Sequence, residues 1–262
     1  MPTLEPHQYR RIAESFGTDA QRYDRARPAY PAELIDRIVA TSPGGDVLDV
    51  GCGTGIAARQ LQAAGATVLG LEPDPRMAGV ARETGVAVEV STFEDWDPAG
   101  RTFDAVVAAQ AWHWVDPVAG AAKVLSTLRP GGLFAAFWHV FMPPAEIQSA
   151  TATALRRAVP DSPFNLDGVK QDANPYQPLI TSTGERLAAT GAFGEPRTWR
   201  FEVERTSTRD QWLDLMPTLG PLTRVPPERL DPILTDVGAA IDAMGGSFTT
   251  RFTTVGVAIT RA

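Results

Sequence analysis

One cysteine and three histidines in 262 residues leave little material for thiol or metal chemistry. A lone Cys52 cannot form an intramolecular disulfide or build a cysteine-rich zinc site. Basic charge is also short: 24 Lys and Arg against 31 Asp and Glu give a formal net charge of −7. That balance argues against nucleic acid as partner, since a phosphate backbone favours a basic face. No uninterrupted apolar run approaches ~18 residues, so no membrane span is expected. The start, Met1-Pro2-Thr3-Leu4-Glu5-Pro6, lacks a basic segment followed by an apolar core. No secretory signal is therefore expected, and a soluble cytoplasmic protein is the default. Repeats, low-complexity tracts and long charge runs are missing too. What is present, 44% apolar and 21% charged residues, is ordinary for a chain with a sizeable core. The length suits one large α/β domain or a domain with a modest insertion.

From about 45 to 138, short strand-like runs alternate with helical patterns. The strand candidates are Val47–Val50, Thr67–Leu71, Val86–Val90, Phe103–Ala109 and Leu133–Trp138. Helical spacing appears over Ile56–Ala64, Pro75–Thr84 and Pro117–Leu128, the last ended by Arg129-Pro130-Gly131-Gly132. Such alternation predicts a doubly wound, mostly parallel sheet with helices on both faces. Residues 141–178 hold six prolines and read as an irregular insertion around one helix near Ala145–Ala158. After a helix near Leu179–Thr190, the runs Thr198–Glu204 and Phe248–Ile259 predict an antiparallel pair at the sheet edge. Arg209–Leu219 and Pro227–Met244 between them read as helical. The whole is expected to be a single domain with a seven-stranded Rossmann-like sheet. Its parts would be an N-terminal helical cover (1–40), a ligand-binding core (45–138) and lid insertions (140–195 and 206–245).

The most informative stretch is Val47-Leu48-Asp49-Val50-Gly51-Cys52-Gly53-Thr54-Gly55. A buried strand feeding a glycine turn and then a helix lets backbone approach a ligand without Cβ obstruction. A dinucleotide fingerprint needs its third glycine at position 56, where Ile56 stands. Glu72 ends the second strand candidate at the offset where a carboxylate grips a ribose diol, for which its two oxygens suit it. The competing role is a surface acid capping the helix that Pro73-Asp74-Pro75 begins.

Together with Gly70-Leu71-Glu72-Pro73-Asp74, Phe103-Asp104-Ala105-Val106-Val107 and Leu128-Arg129-Pro130-Gly131-Gly132, this stretch resembles the class I S-adenosylmethionine-dependent methyltransferases across residues 30–138. The resemblance implies that Asp49, Gly51, Cys52, Gly53 and Gly55 form the loop under the methionine part of the cofactor. It implies Glu72 and Pro73 at the ribose, and Phe93 and Glu94 at the adenine; Phe93 could equally pack under the sheet edge. Tyr23-Asp24-Arg25-Ala26-Arg27-Pro28-Ala29-Tyr30-Pro31 and Gln110-Ala111-Trp112-His113-Trp114 are similar to segments of trans-aconitate methyltransferase-like small-molecule enzymes. By that likeness Tyr23 and Arg27 would close the cofactor site, Arg27 near the methionine carboxylate or as a plain surface arginine. Gln110 would touch the cofactor's methionine end or the acceptor.

Methyl transfer from a sulfonium is an in-line displacement that needs orientation and, for a hydroxyl or ammonium acceptor, loss of a proton. His113 and His139 follow the fourth and fifth strands, where an acceptor must lie, and are the candidate bases. Alternatively they position or pack, and a carboxylate or neutral nitrogen would need no base. Trp112, Trp114, His139 and Phe141 are the expected substrate walls; Trp138 reads better as core, Cys52 as packing, and His7 as uninvolved. The expectation is methyl transfer to oxygen or nitrogen of a small molecule, with oxygen slightly favoured, by a monomer or homodimer. An NAD(P)-dependent oxidoreductase and a catalytically silent cofactor-binding regulator are the rivals.

Overall fold

A computed structural model describes residues 13–160 and 174–262. His7 and part of the proline-rich insertion therefore lie outside the described residues. The sheet runs in the order β3-β2-β1-β4-β5-β7-β6. Its strands are β1 (Asp46–Val50), β2 (Thr67–Leu71), β3 (Ala87–Glu89), β4 (Phe103–Ala109), β5 (Leu128–Met142), β6 (Arg197–Thr208) and β7 (Ser247–Thr260). The first five are parallel, and β7 lies antiparallel between β5 and β6. The expected topology class is found.

Strand alternation divides the core into two faces. Leu48, Val106, Phe134 and Trp138 meet helices α5 (Pro117–Thr127) and α7 (Gln177–Ala188) on one side. Val47, Val107, Ala135 and Phe137 meet α2 (Ala32–Thr41), α3 (Ile56–Ala63) and α4 (Pro75–Glu83) on the other. A third apolar cluster stands apart from both. In it α6 (Ala145–Ala158), α8 (Arg209–Leu215) and α9 (Pro227–Ala243) gather Ile147, Leu155, Trp212, Ile233 and Val237 against Phe248. At the N-terminus a 3₁₀ turn (Glu14–Asp19) leads into α1 (Ala20–Ala26), which reaches the third cluster through Arg25–Asp214 at 2.9 Å.

Strand β5 begins five residues before the expected Leu133, inside the segment read as a helix stop. The reason is backbone pairing: Gly131 donates to the Arg261 carbonyl, and Arg261 donates back to Gly132. Arg129 closes this end of the sheet by bridging Asp46 and Asp104, each at 2.8 Å. Among the described residues no helix is long and apolar enough to cross a membrane.

Candidate active site

In an open α/β sheet the crevice for a ligand opens at the carboxyl ends of the strands where strand order reverses, here between β1 and β4. Two residues in left-handed backbone flank that point. Gly51 has φ +66° and Gln110 has φ +59°. Left-handed backbone at a non-glycine residue is a strained state that clusters at functional sites. The Gln110 amide is drawn across to the Phe137 carbonyl of β5, and its side chain reaches the His139 carbonyl at 3.4 Å. A cavity of about 1220 Å³ opens here and runs from the end of β2 to the end of β5.

Most of the expected site residues line it: Gly51 and Gly53 from the glycine loop, Glu72 and Pro73 after β2, and Phe93 and Glu94 after β3. Gln110, His113 and Trp114 follow β4, while His139 and Phe141 come from β5. Tyr23 and Arg27 enter from the N-terminal cover. Four expected residues lie elsewhere. Trp112 is buried edge-on against Phe134 at 4.7 Å, in space left by Gly120 of α5. It is a core residue rather than a substrate wall. Cys52 is buried behind the loop against Gly70, and Gly55 is the left-handed N-cap of α3. Asp49 sits beneath the loop, fully buried.

The acidic end of the cavity has unusual electrostatics. Glu72 is buried and accepts from the backbone amides of Gly53 and Asp74, both at 2.9 Å. Asp74, not Glu72, caps α4 by accepting from the Arg76 amide. The capping role considered for Glu72 thus falls to its neighbour, and each Glu72 oxygen keeps a lone pair for a ligand. Burial raises the Glu72 carboxyl to about 7, against the lowering effect of those amides. Burial, then the nearby Glu72, raises Asp49 to about 8, and neither Asp49 oxygen has a hydrogen-bond partner. Buried carboxyls in this state favour a cationic or hydrogen-donating ligand.

The far end is aromatic. His113 accepts at Nδ1 from the Trp138 indole N–H at 3.0 Å, and burial lowers its pKa to about 4. Its ring lies 4.4 Å from Trp114 and 6.2 Å from Tyr176, which itself stacks on Trp138 at 5.3 Å. His139 points to the opposite face of β5, stacked under Tyr30 at 4.4 Å. Its Nδ1 shares a 2.9 Å hydrogen bond with Thr254, while Nε2 is buried without a partner. Burial, then the Arg27 charge, lowers its pKa to about 3, although the Ala29 and Pro28 carbonyls favour the charged ring. Arg27 lies beside the end of β5 rather than β1. Its guanidinium sits over Tyr23 at 4.8 Å and Phe141 at 5.8 Å and donates to the Thr218 carbonyl. Among the described residues it has no carboxylate partner, and its Nε is buried and unpaired.

Sequence reasoning missed Tyr176, Thr254 and the link from Trp138 to His113. Tyr176 lies near the end of the proline-rich insertion with no periodic signal, and the other two are core positions that touch the site through one polar atom.

Residues 23–164 match the family described as methyltransferase domain. That is more than half of the chain, and the chain belongs to this family. An uncharacterized methyltransferase of Mycobacterium tuberculosis is 37% identical over 132 residues, 50% of this chain and 54% of the relative. Trans-aconitate 2-methyltransferase of the same species is 31% identical over 172 residues, 61% of this chain and 62% of the relative. The chain thus spans about half to three-fifths of the curated relatives it matches. A solved structure from Anaeromyxobacter dehalogenans, provisionally assigned as a type II methyltransferase, superposes with TM-score 0.63 at 24% identity. It covers 88% of this chain and 97% of its own, so the likeness in fold extends beyond the matched segment.

Proposed function

We propose that this protein transfers a methyl group from S-adenosylmethionine to an oxygen or nitrogen of a small organic molecule, with oxygen favoured. The observation that carries the reading is the pairing of Glu72 with the glycine loop at the switch point. Its carboxylate faces the cavity with two free lone pairs, as a vicinal diol requires. The groups around it fit the cofactor. Asp49 and Glu72 suit an ammonium or sulfonium, Phe93 offers an apolar face to a purine, and Gly51 and Gly53 admit close backbone approach. Arg27 and Tyr23 would hold an anionic group from above. When bound, the cofactor supplies an electrophilic methyl on a sulfonium.

The cavity is larger than the 300–1,000 Å³ usual for one ligand, which leaves room for an acceptor beside the donor. That room lies between Trp114, Phe141, Tyr176 and the histidines, under the helical cover. Orientation of donor and acceptor in such a site can contribute up to about 7–11 kcal/mol of barrier lowering.

Calorimetric titration with S-adenosylmethionine and S-adenosylhomocysteine tests the reading, on wild type and on Glu72→Gln. Wild-type binding that weakens at least tenfold in the variant, ~1.4 kcal/mol, is expected. Well-folded wild type that binds neither ligand would overturn it.

A further inference from the structure

We propose that Lys123 is the positioning residue for the purine end of the cavity. Its ammonium closes the turn that follows β3 and so sets Phe93 and Glu94 where the adenine of S-adenosylmethionine docks. This deepens the methyltransferase reading above and rests on it.

The argument starts from composition. Of 24 basic residues only Lys123 and Lys170 are lysine, and Lys170 lies outside the described residues. A chain that otherwise uses arginine for its cations thus keeps an ammonium in the middle of α5. Lysine presents three N–H donors around one atom, whereas arginine presents a planar fork. The ammonium suits acceptors that converge from different directions.

Two such acceptors are present. Lys123 Nζ donates to the Glu94 carbonyl at 2.7 Å and to the Trp96 carbonyl. Both carbonyls belong to one helical turn. In it the Trp96 amide donates to the Thr92 carbonyl, and the Asp95 amide donates to the Thr92 hydroxyl, each at 3.1 Å. That turn cannot continue as a helix. The next donor for the Glu94 carbonyl would be residue 98, and Pro98 has no N–H. The Trp96 carbonyl would need Gly100, but the chain there bends away through left-handed Ala99 (φ +50°) and Gly100 (φ +78°). Carbonyls at the end of a helical turn carry partial negative charge and need donors. Lys123 supplies from another element the donor that the following sequence withholds.

The same helix holds the turn at a second point. The Asp116 amide, at the start of α5, donates to Glu94 Oε1 at 2.8 Å. Asp116 and Lys123 stand about two helical turns apart and therefore share a face. Lys123 also places its charge over the Phe93 ring at 5.9 Å, within cation–π range. One half-buried ammonium thus converges on residues 93, 94 and 96. Phe93 and Glu94 line the cavity and Lys123 does not, so it acts on a ligand only through them.

The test has two parts, and the first uses free protein, so the clamp is judged apart from the cofactor reading. Amide exchange is measured by NMR in wild type and in Lys123→Met, which keeps the aliphatic stem and loses the charge. The Asp95 and Trp96 amides should exchange about tenfold faster in the variant, with β1, β4 and β5 unchanged. Unchanged exchange in the turn, or equal acceleration in the strands, overturns the proposal. The second part is calorimetry with S-adenosylhomocysteine. Lys123→Met and Lys123→Cys should each bind it about tenfold more weakly than wild type, as loss of a charged hydrogen bond does. Treating Lys123→Cys with 2-bromoethylamine rebuilds a side chain of lysine length ending in an ammonium, and this should restore most of the affinity. Wild type treated alike is the control, since its Cys52 is buried. Wild-type affinity in both variants, or no recovery after alkylation at position 123 confirmed by mass spectrometry, overturns the proposal. Wild type that binds no S-adenosylhomocysteine overturns the cofactor reading and the docking role with it, while the exchange result still decides the clamp.

Discussion

At the scale of single residues, conformation and space distinguish glycines that look alike in the sequence. Gly51 has φ +66°, and a Cβ there would stand 2.5 Å from the Ala111 Cβ, directly under the cavity floor. Gly85 has φ +91° with nothing within 4 Å of the place a Cβ would occupy, and it lies outside the cavity. An alanine in left-handed backbone costs about 1–2 kcal/mol at either site. Only at Gly51 must the floor also shift. Gly51→Ala is therefore expected to lose S-adenosylhomocysteine affinity at least tenfold in calorimetry. Gly85→Ala should show a comparable strain in thermal unfolding and unchanged binding. Equal binding losses in the two variants would mean that the floor geometry at Gly51 is not what matters. Residue-scale contrast also explains Trp112 and Trp114, two positions apart on one 3₁₀ turn (Trp112–Trp114). One is anchored in the core against Phe134 and the other faces the cavity. Nothing in the residue types separates them, because the difference is set by Gly120 on a helix read only as an apolar pattern.

At the scale of elements, the third apolar cluster carries its own stability. Trp212 of α8 packs edge-on to Phe248 at 5.1 Å, and its indole N–H is buried without a partner. Trp212→Ala should cost about 3–5 kcal/mol of local packing. Because Ile147, Trp212 and Val237 belong to neither sheet-face cluster, the loss should appear in hydrogen exchange as faster opening of α6 and α9. Protection of β1, β4 and β5 should persist. Trp212→Phe should be nearly neutral, since it keeps the ring contact and removes the unpaired donor. Simultaneous loss of protection in the sheet would show that the cover and sheet unfold as one unit. The same elements mark how far the sequence was legible. Strand–turn–helix punctuation located β1, β2 and β4 and the loop between β1 and α3, because those signals are local. The edge pair was legible in order but short in extent, β6 reaching Thr208 and β7 beginning at Ser247. The Tyr30–His139 stack and the Trp138–His113 hydrogen bond were invisible, since each joins segments brought together only by the sheet. The early start of β5 depended on Arg261, more than a hundred residues downstream.

At the scale of the whole molecule, buried ionisable groups set a pH profile for stability. Asp49 and Glu72 are raised in the folded state to about 8 and about 7, from ordinary values of 3.8 and 4.5. Between each ordinary value and its raised one, the folded protein holds a proton that the unfolded chain has released. Stability from these two groups therefore falls as pH rises through that window. His113 and His139 act in the opposite sense, since their folded values of about 4 and about 3 lie below the ordinary 6.5. Their contribution rises with pH and is complete above 6.5, roughly offsetting the two acids on the acidic side of neutrality. Below about 4 the depressed carboxylates, Asp74, Glu89, Asp104 and Asp214, lose their hydrogen bonds and ion pairs as they protonate. The net expectation for the free protein is a melting temperature that falls from pH 6.5 to 8.5 and collapses below pH 4. Asp49→Asn should flatten the alkaline fall, because the amide keeps the shape of the carboxyl without its charge. A ligand that brings positive charge to these acids releases their protons, so its affinity should rise over the same alkaline range in which the free protein weakens. Calorimetry of S-adenosylmethionine in two buffers of different ionisation enthalpy would count those protons. Proton release near pH 7 that disappears in Asp49→Asn would tie the alkaline instability and ligand binding to the same carboxyl beneath the glycine loop. Pure pH-independence would place the ligand's charge elsewhere in the cavity.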